Sequence, residues 1–517
     1  MFLGQVYNGL ALEGVSVQGV DISKMDLNQA LSATSGIPQE MLKDIKITVD
    51  FDGETSSFTA EDLGLTTNYE DVVSQALAYG NTGNIFERIS NANTAKKQGK
   101  DFKVNVLADR NTVLAALQTI KDKLDRQPID ATFAFTPRGY LEDGTVYQPD
   151  EQEMIEKSAA RENLGLPEDL VRIPEDQMPS ILRYDYWQND HYVEDYVPAD
   201  ANISRFEYTD EVVGRTFNIE SVADIIIAQV ENSVFSTIKA PVEYAQPQVT
   251  AEDLKSKTQL VASWTSSYSR HEGYNRNWNV AKLSGILNGV IIKPGEEWSI
   301  NEQAGARTLS NGWLEAAGIV NGGYVPEAGG GVCQLSSTTY NAAIRAALEI
   351  TDATHHSISS DYIPLGFDAT ISTGGPDLKL KNPYDTPIYI VSYVNPEETN
   401  VTVEIYGPTV VDEKYGDVIL DFTSIDGGSY GTPGMQIIYN TAVSPDGKPI
   451  APNASYVYAQ ARQGRIVETY IHYLSPDGVE LGSENFHNYK WAPINGITYV
   501  NGPPPPGTPA ATVVPAQ

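Results

Sequence analysis

The stretch Gly329-Gly330-Gly331-Val332-Cys333-Gln334-Leu335-Ser336-Ser337-Thr338-Thr339-Tyr340 holds the one cysteine among 517 residues, set between three glycines and a helical pattern. Tyr340, Ala343, Ile344, Ala347 and Leu348 recur at three- and four-residue spacing, which predicts a helix from Leu335 to Ile350. Three glycines let the backbone enter conformations closed to other residues and let a substrate approach the main chain. A cysteine at a helix N-terminus lies near unpaired N–H groups and the positive end of the helix dipole, which favours thiolate over thiol. The same N–H groups can receive an oxyanion. That is how a chain presents a nucleophile.

A lone cysteine is also commonly a small buried hydrophobe. The glycine run argues against simple core packing, because glycines add no side chain to a core. Two of the six histidines, His355 and His356, stand together just past the helix in Thr354-His355-His356-Ser357. A chain reversal after the helix would bring one of them back to Cys333. The local pattern leaves the nucleophile and the inert thiol both open.

Further landmarks run in order along the chain: Arg276-Asn277 with Asn279-Val280-Ala281; Leu287-Asn288-Gly289; Pro294-Gly295-Glu296 with Trp298-Ser299-Ile300-Asn301; Gly305-Ala306-Arg307-Thr308; the Gly329 to Gln334 run; His356-Ser357; and Tyr362-Ile363-Pro364-Leu365-Gly366 with Asp368-Ala369-Thr370. In this order they resemble the VanW domain of Gram-positive bacteria, from about Asn277 to Asn382. One departure stands out. The family carries an arginine shortly before its His-Ser pair, where this chain has Asp352-Ala353-Thr354-His355. Some VanW-domain proteins are peptidoglycan L,D-transpeptidases, so the resemblance implies that Cys333 is the nucleophile and His356 its base. It also implies a membrane anchor near the N-terminus with the rest outside the cell, at the cell surface or wall.

Composition narrows the classes. A hydrophobic content of 41% with 29 tyrosines is that of a folded protein, and the length suffices for several cores. The net charge of −33 argues against nucleic acid or an anionic membrane surface as a partner. A single cysteine excludes an intramolecular disulfide and any zinc site built on several cysteines. Adjacent histidines rarely both reach one ion, so no metal and no cofactor is expected. Met1 to Val6 is too short to span a membrane and has no basic flank, so membrane contact is expected only through an anchor outside this chain.

The architecture reads as α+β multidomain: two small α+β modules, an α+β VanW domain with the cysteine at a helix N-terminus on an antiparallel sheet, and a C-terminal all-β module. Ile45 to Phe51 alternates as a strand, and Asp52-Gly53 is a hairpin turn signal. Ser23 to Leu31 reads as a helix. Gly64-Leu65-Thr66-Thr67-Asn68-Tyr69-Glu70-Asp71-Val72 recurs as Gly214-Arg215-Thr216-Phe217-Asn218-Ile219-Glu220-Ser221-Val222, with Asn68 and Asn218 as candidate N-caps. The boundaries are 12–125 for the first module and 126–250 for the second, with an acidic and aromatic insertion at about 147–208. The cysteine domain follows at 251–408, a β module at 409–500 and a proline-rich tail at 501–517. The two N-terminal modules resemble the peptidoglycan-binding domain that precedes VanW domains in the YoaR-like arrangement, and a spacer role is equally open. The insertion's Tyr184-Asp185-Tyr186-Trp187-Gln188-Asn189-Asp190-His191-Tyr192 would suit glycan stacking or an ordinary surface. The β module weakly resembles G5 domains.

The expected chemistry is acyl transfer through a Cys333 thioester, with peptidoglycan stem peptides and possible glycan strands as partners. His356 is the expected base, with His355 as alternative, and Asp368 would orient the imidazole. Gly330, Gly331, Gln334 and Ser336 would line the oxyanion and substrate site. Arg307 would pair with a substrate carboxylate as a bidentate fork or serve a structural ion pair. A non-catalytic wall-binding scaffold and a cysteine-dependent wall hydrolase are the competing readings.

Overall fold

A tight hairpin organises the first of two units. In the computed structural model, which describes residues 9–137, 204–267, 274–320, 323–357, 360–395, 400–445, 447–508 and 511–514, strands Lys46–Phe51 and Glu54–Thr59 pair antiparallel. Asp52 and Gly53 both take positive φ, 58° and 90°, the turn that matches strand twist. Alternation sends Ile47, Val49 and Phe51 fully into the core. Strand Ile238–Lys239 joins the other edge in parallel. Helices Arg110–Leu124 and Ile219–Asn232 cover the same core through Val113, Leu117, Val222 and Ile226, and Phe51 meets Phe217 edge-on at 5.4 Å. Residues on both sides of position 125 therefore share one core.

A second cluster in this unit gathers Val15, Val17, Ile22, Ala30, Val73 and Ala76. The helix read from Ser23 to Leu31 spans Leu27–Thr34 instead, because Asp26 and Gln29 form a capping box at its start. Both repeat copies lead into helices, Tyr69–Asn81 and Ile219–Asn232. Asn218 caps its helix by accepting the Ser221 N–H, whereas Asn68 accepts the Asn105 N–H and caps nothing. One motif thus serves two local purposes.

The second unit comprises residues 132–209 and 251–517. Its centre is a four-stranded antiparallel sheet ordered Gln259–Ser267, Asn400–Gly407, Ile388–Asn395, Val290–Ile292. Helices Tyr274–Leu287 and Cys333–Arg345 pack on this sheet around Trp278, Leu283, Leu335, Ala343, Ile390 and Val403. Buried hydroxyl pairs tie helix to sheet, Ser266 with Thr338 at 2.7 Å and Ser284 with Ser392 at 2.8 Å. Strands Thr132–Phe135 and Phe206–Thr209 pair, and Phe135 and Phe206 meet Tyr389 at 4.8 and 5.1 Å. The aromatic run from Tyr184 to Tyr192 lies outside the described residues.

The cysteine helix, predicted to reach Ile350, ends at Arg345. Ala347 turns left-handed with φ 52°, and the Leu348 and Ala347 N–H groups return to the Ala343 and Ile344 carbonyls. This reversal closes the helix end and frees Glu349–Asp352 to form a strand. Beyond the central sheet, Ile419–Tyr430, Gly464–Leu474 and Glu480–Trp491 form a three-stranded antiparallel sheet. Ser475 to Gly478 makes the hairpin turn between its last two strands. Another sheet, ordered Ser455–Ala459, Gly496–Val500, Met435–Tyr439, Ala511–Val514, takes in the end of the proline-rich tail. The fold is α+β and multidomain. Among the described residues no helix is long and apolar enough to cross a membrane.

Candidate active site

The approach to Cys333 is a backbone that tolerates no side chains. Gly331 has φ 98°, and a Cβ there would stand 2.5 Å from the Arg276 Cγ. A Cβ on Gly330 would stand 2.3 Å from the Ala316 carbonyl oxygen. Asn279 holds this loop from below, donating to the Gly330 and Leu314 carbonyls at 2.9 Å each and accepting the Leu314 N–H. The chain then enters the helix at Cys333 with Val332 before it and no side-chain cap. The Gly330 N–H is taken by the Glu327 carbonyl and the Gln334 N–H by the Gly331 carbonyl. Among the described residues nothing in the fold takes the N–H of Gly331 or of Cys333. An uncapped end with two open donors suits an anion.

Cys333 is half-buried, and its sulfur is surrounded by polar groups. The Ile371 N–H points at Sγ from 3.4 Å, and Thr370 Oγ1 lies 3.5 Å away. The His356 ring hydrogen-bonds to the same sulfur. His356 is itself buried, with Nδ1 2.7 Å from Asp368 Oδ2, an oxygen that also accepts the His356 backbone N–H at 2.7 Å. Two bonds from one carboxylate oxygen fix both ring and main chain, leaving Nε2 for Cys333. The other oxygen, Oδ1, lies 3.1 Å from His355 Nδ1. Asp368 thus serves one histidine with each oxygen.

Charge follows from this geometry. Burial pushes the Cys333 thiol up, but His356, Thr370 and Ile371 outweigh it and bring the thiol below its ordinary value. Burial lowers His356, yet the Asp368 carboxylate and the Cys333 sulfur outweigh it, and the imidazole is pushed up to about 10. Burial raises Asp368, but its bonds to His355 and His356 outweigh that and hold it well below the usual carboxylate range. The three shifts together favour thiolate, imidazolium and carboxylate over the neutral forms.

The remaining expected residues divide. Gln334 is fully buried, accepting from Arg276 Nη2 at 2.7 Å and donating to Ser266 Oγ and the Ser267 carbonyl. Ser336, also fully buried, donates to the Ala369 and Cys333 carbonyls. Both side chains are committed to holding the helix start, away from the open donors. Gly330 supplies clearance, and Gly331 supplies clearance and a free N–H. Arg307 is buried along Gly329, with Nη2 on Asn301 Oδ1 at 2.9 Å and its backbone N–H on Thr373 Oγ1. Its Nη1 has no partner among the described residues. Burial lowers its pKa, opposed first by the charge of Cys333.

Several groups around the sulfur carry no sequence signal of their own. The run Asp368 to Ile371 reads as a strand but joins no ladder. Its backbone is satisfied instead by the Ser336 and Ser337 hydroxyls, the Thr354 carbonyl and Sγ. Tyr362, quoted above only as a landmark, bonds to Ser337; burial first, then the charges of Cys333 and Asp368, keep it a neutral phenol.

The family model described as "VanW like protein" matches residues 275–406. The chain carries a VanW domain. Cys333, His355, His356 and Asp368 all fall within the matched residues, and the Thr354 carbonyl accepts the Thr370 N–H at 2.7 Å. A second family, described as "Putative peptidoglycan binding domain", matches residues 56–140. Among curated relatives, the VanW-bearing chain is 36% identical over 156 residues to "Uncharacterized protein YoaR" of Bacillus subtilis, covering 30% of this chain and 51% of that protein. It is 32% identical over 117 residues to "Vancomycin B-type resistance protein VanW" of Enterococcus faecalis, covering 22% of this chain and 42% of that protein. The chain thus spans about half the length of the curated relatives it matches. A solved structure, HP0197-G5, is matched over 16% of this chain and 99% of its own at 13% identity, with a TM-score of 0.09 that carries no argument about fold.

Proposed function

We propose that the VanW domain is a cysteine-dependent L,D-transpeptidase acting on peptidoglycan stem peptides at the cell surface. The observation that carries the reading is the Cys333–His356–Asp368 chain at an uncapped helix N-terminus. The domain matched at 56–140, by its family description, supports the wall as the substrate. So does the name of the E. faecalis relative, a vancomycin B-type resistance protein.

In this reading the Cys333 thiolate attacks the carbonyl carbon of the third stem residue, and the N–H groups of Gly331 and Cys333 take the developing oxyanion. As the C–N bond breaks, the His356 imidazolium gives its proton to the departing amine of the terminal D-alanine, leaving a thioester. The side-chain amine of a second stem then attacks the thioester. Neutral His356 accepts a proton from that amine, and the thiolate leaves with the cross-link formed. Asp368 holds the imidazole orientation throughout. The free Nη1 of Arg307 is the group we assign to the substrate carboxylate.

Incubation with disaccharide-tetrapeptide, beside Cys333→Ala, tests this directly. Muropeptide analysis should show a dimer lacking one D-alanine, absent with the variant. Shortened monomers alone would point to a hydrolase. No product and no acyl adduct would leave a wall-binding scaffold.

A further inference from the structure

The matched VanW residues end at 406, yet the histidine pair is held from beyond that point by strand Glu480–Trp491. The Trp491 Nε1–H donates to the His356 carbonyl at 2.8 Å. The Tyr489 ring stands edge-on to His355 with centroids 3.9 Å apart. The Tyr489 hydroxyl bonds to Tyr340, on the cysteine helix. Gly366, φ 80°, lets the intervening loop come close, since a Cβ there would stand 2.9 Å from both Tyr489 and Thr469. Arg345, at the end of the same helix, bonds to Asp421 at 3.0 Å, and Phe367 meets Phe422 at 6.0 Å. So the sheet touches the helix, the loop and both histidines.

We infer that the Ile419–Tyr430, Gly464–Leu474, Glu480–Trp491 sheet is a wall of the active centre, with Trp491 and Tyr489 as positioning residues for His356 and His355. The inference rests on the acyl-transfer reading above. Asp368 fixes His356 through its ring and its N–H, and Trp491 fixes the same residue through its carbonyl. Three anchors on one residue leave its ring a single direction. Tyr489 packs edge-on against His355, whose Nδ1 lies on Oδ1, and Oδ2 is left to His356.

The whole 517-residue chain with Trp491→Phe keeps an aromatic ring and loses the N–H donor with part of the indole. Tyr489→Leu removes the ring against His355. The readouts are the pH dependence of Cys333 alkylation by iodoacetamide, the rate and KM of cross-linking of disaccharide-tetrapeptide, and the melting temperature. For Trp491→Phe the alkylation midpoint should rise by about one pH unit and cross-linking should slow about tenfold, with KM unchanged. Tyr489→Leu should move the midpoint in the same direction, so the test survives if one variant does not fold. A loss of melting temperature with wild-type midpoint and rate in both variants would overturn the inference and leave the nucleophile reading intact. A wild-type midpoint in the ordinary thiol range would defeat the nucleophile reading itself, and this inference with it.

Discussion

Helices Arg110–Leu124 and Cys333–Arg345 are of similar length and begin in opposite ways. The first is closed by Asp109, whose carboxylate accepts the Thr112 N–H at 2.9 Å. Of its residues only Val113 and Leu117 are buried, so it is a half-exposed helix that covers a core. The second is buried from Gln334 through Arg345 and has no side-chain cap. Its hydroxyls bond within the fold, Ser337 to the Cys333 carbonyl, Thr338 to Gln334 and Thr339 to Leu335. A helix that only supports a core satisfies its first amides with its own side chain. The one that begins at Cys333 leaves them open and obtains its stability from packing on all sides.

The largest effect should come from removing what the open end holds. Cys333→Ala should abolish cross-linking, a fall of about a thousandfold or more, while the melting temperature stays near wild type. Retained activity would break the comparison outright. Asp368→Asn comes next, with transfer reduced about 10²- to 10⁴-fold. It also has a pH signature. His356 is raised to about 10, so its contribution to stability is complete below its ordinary value of 6.5 and fades as pH rises through about 10. The alkaline limb of the transfer profile should lie there, because the departing amine then loses its proton donor, and Asp368→Asn should move that limb to lower pH. An unmoved limb would show that Asp368 does not hold the imidazolium.

Gly331→Ala tests whether the open donors need this backbone. A left-handed alanine pressed against Arg276 should destabilise by about 1–3 kcal/mol and slow transfer with it, measured by denaturant unfolding and cross-linking together. Asp109→Ala is the control at the closed helix and the smallest expected effect. It should lower stability by about 1 kcal/mol and leave the alkylation rate of Cys333 unchanged.

Much of this was legible in the residues. Asp52-Gly53 announces its hairpin, and three glycines before Cys333 announce a backbone that side chains cannot follow. Of the pair His355-His356, close behind the helix, His356 is brought to the sulfur after the reversal at Ala347. Other features resisted reading. Apolar spacing through Leu348 and Ile350 continues the helical period past a left-handed alanine, so the helix looks longer than it is. Asp368 to Ile371 has strand composition, but its backbone partners are serine hydroxyls, one isolated carbonyl and the cysteine sulfur, which no alternation rule describes. Gln334 and Ser336 sit beside Cys333 in sequence, yet on a helix buried all round adjacency does not decide what a side chain faces.

The sequence by itself determined the local events: which turn reverses the first hairpin, where the glycines admit a positive φ, and which helix begins with the thiol. Backbone preferences and periodicity act over a few residues, so they are written within a few residues. Only the tertiary structure decided that Asp368 divides its two oxygens between two histidines, and that Thr370 and Ile371 meet the sulfur. It alone brought Trp491 to His356 across 135 residues. Those contacts form when sheets and helices bury a common core, and the direction in which each side chain then points depends on every element around it.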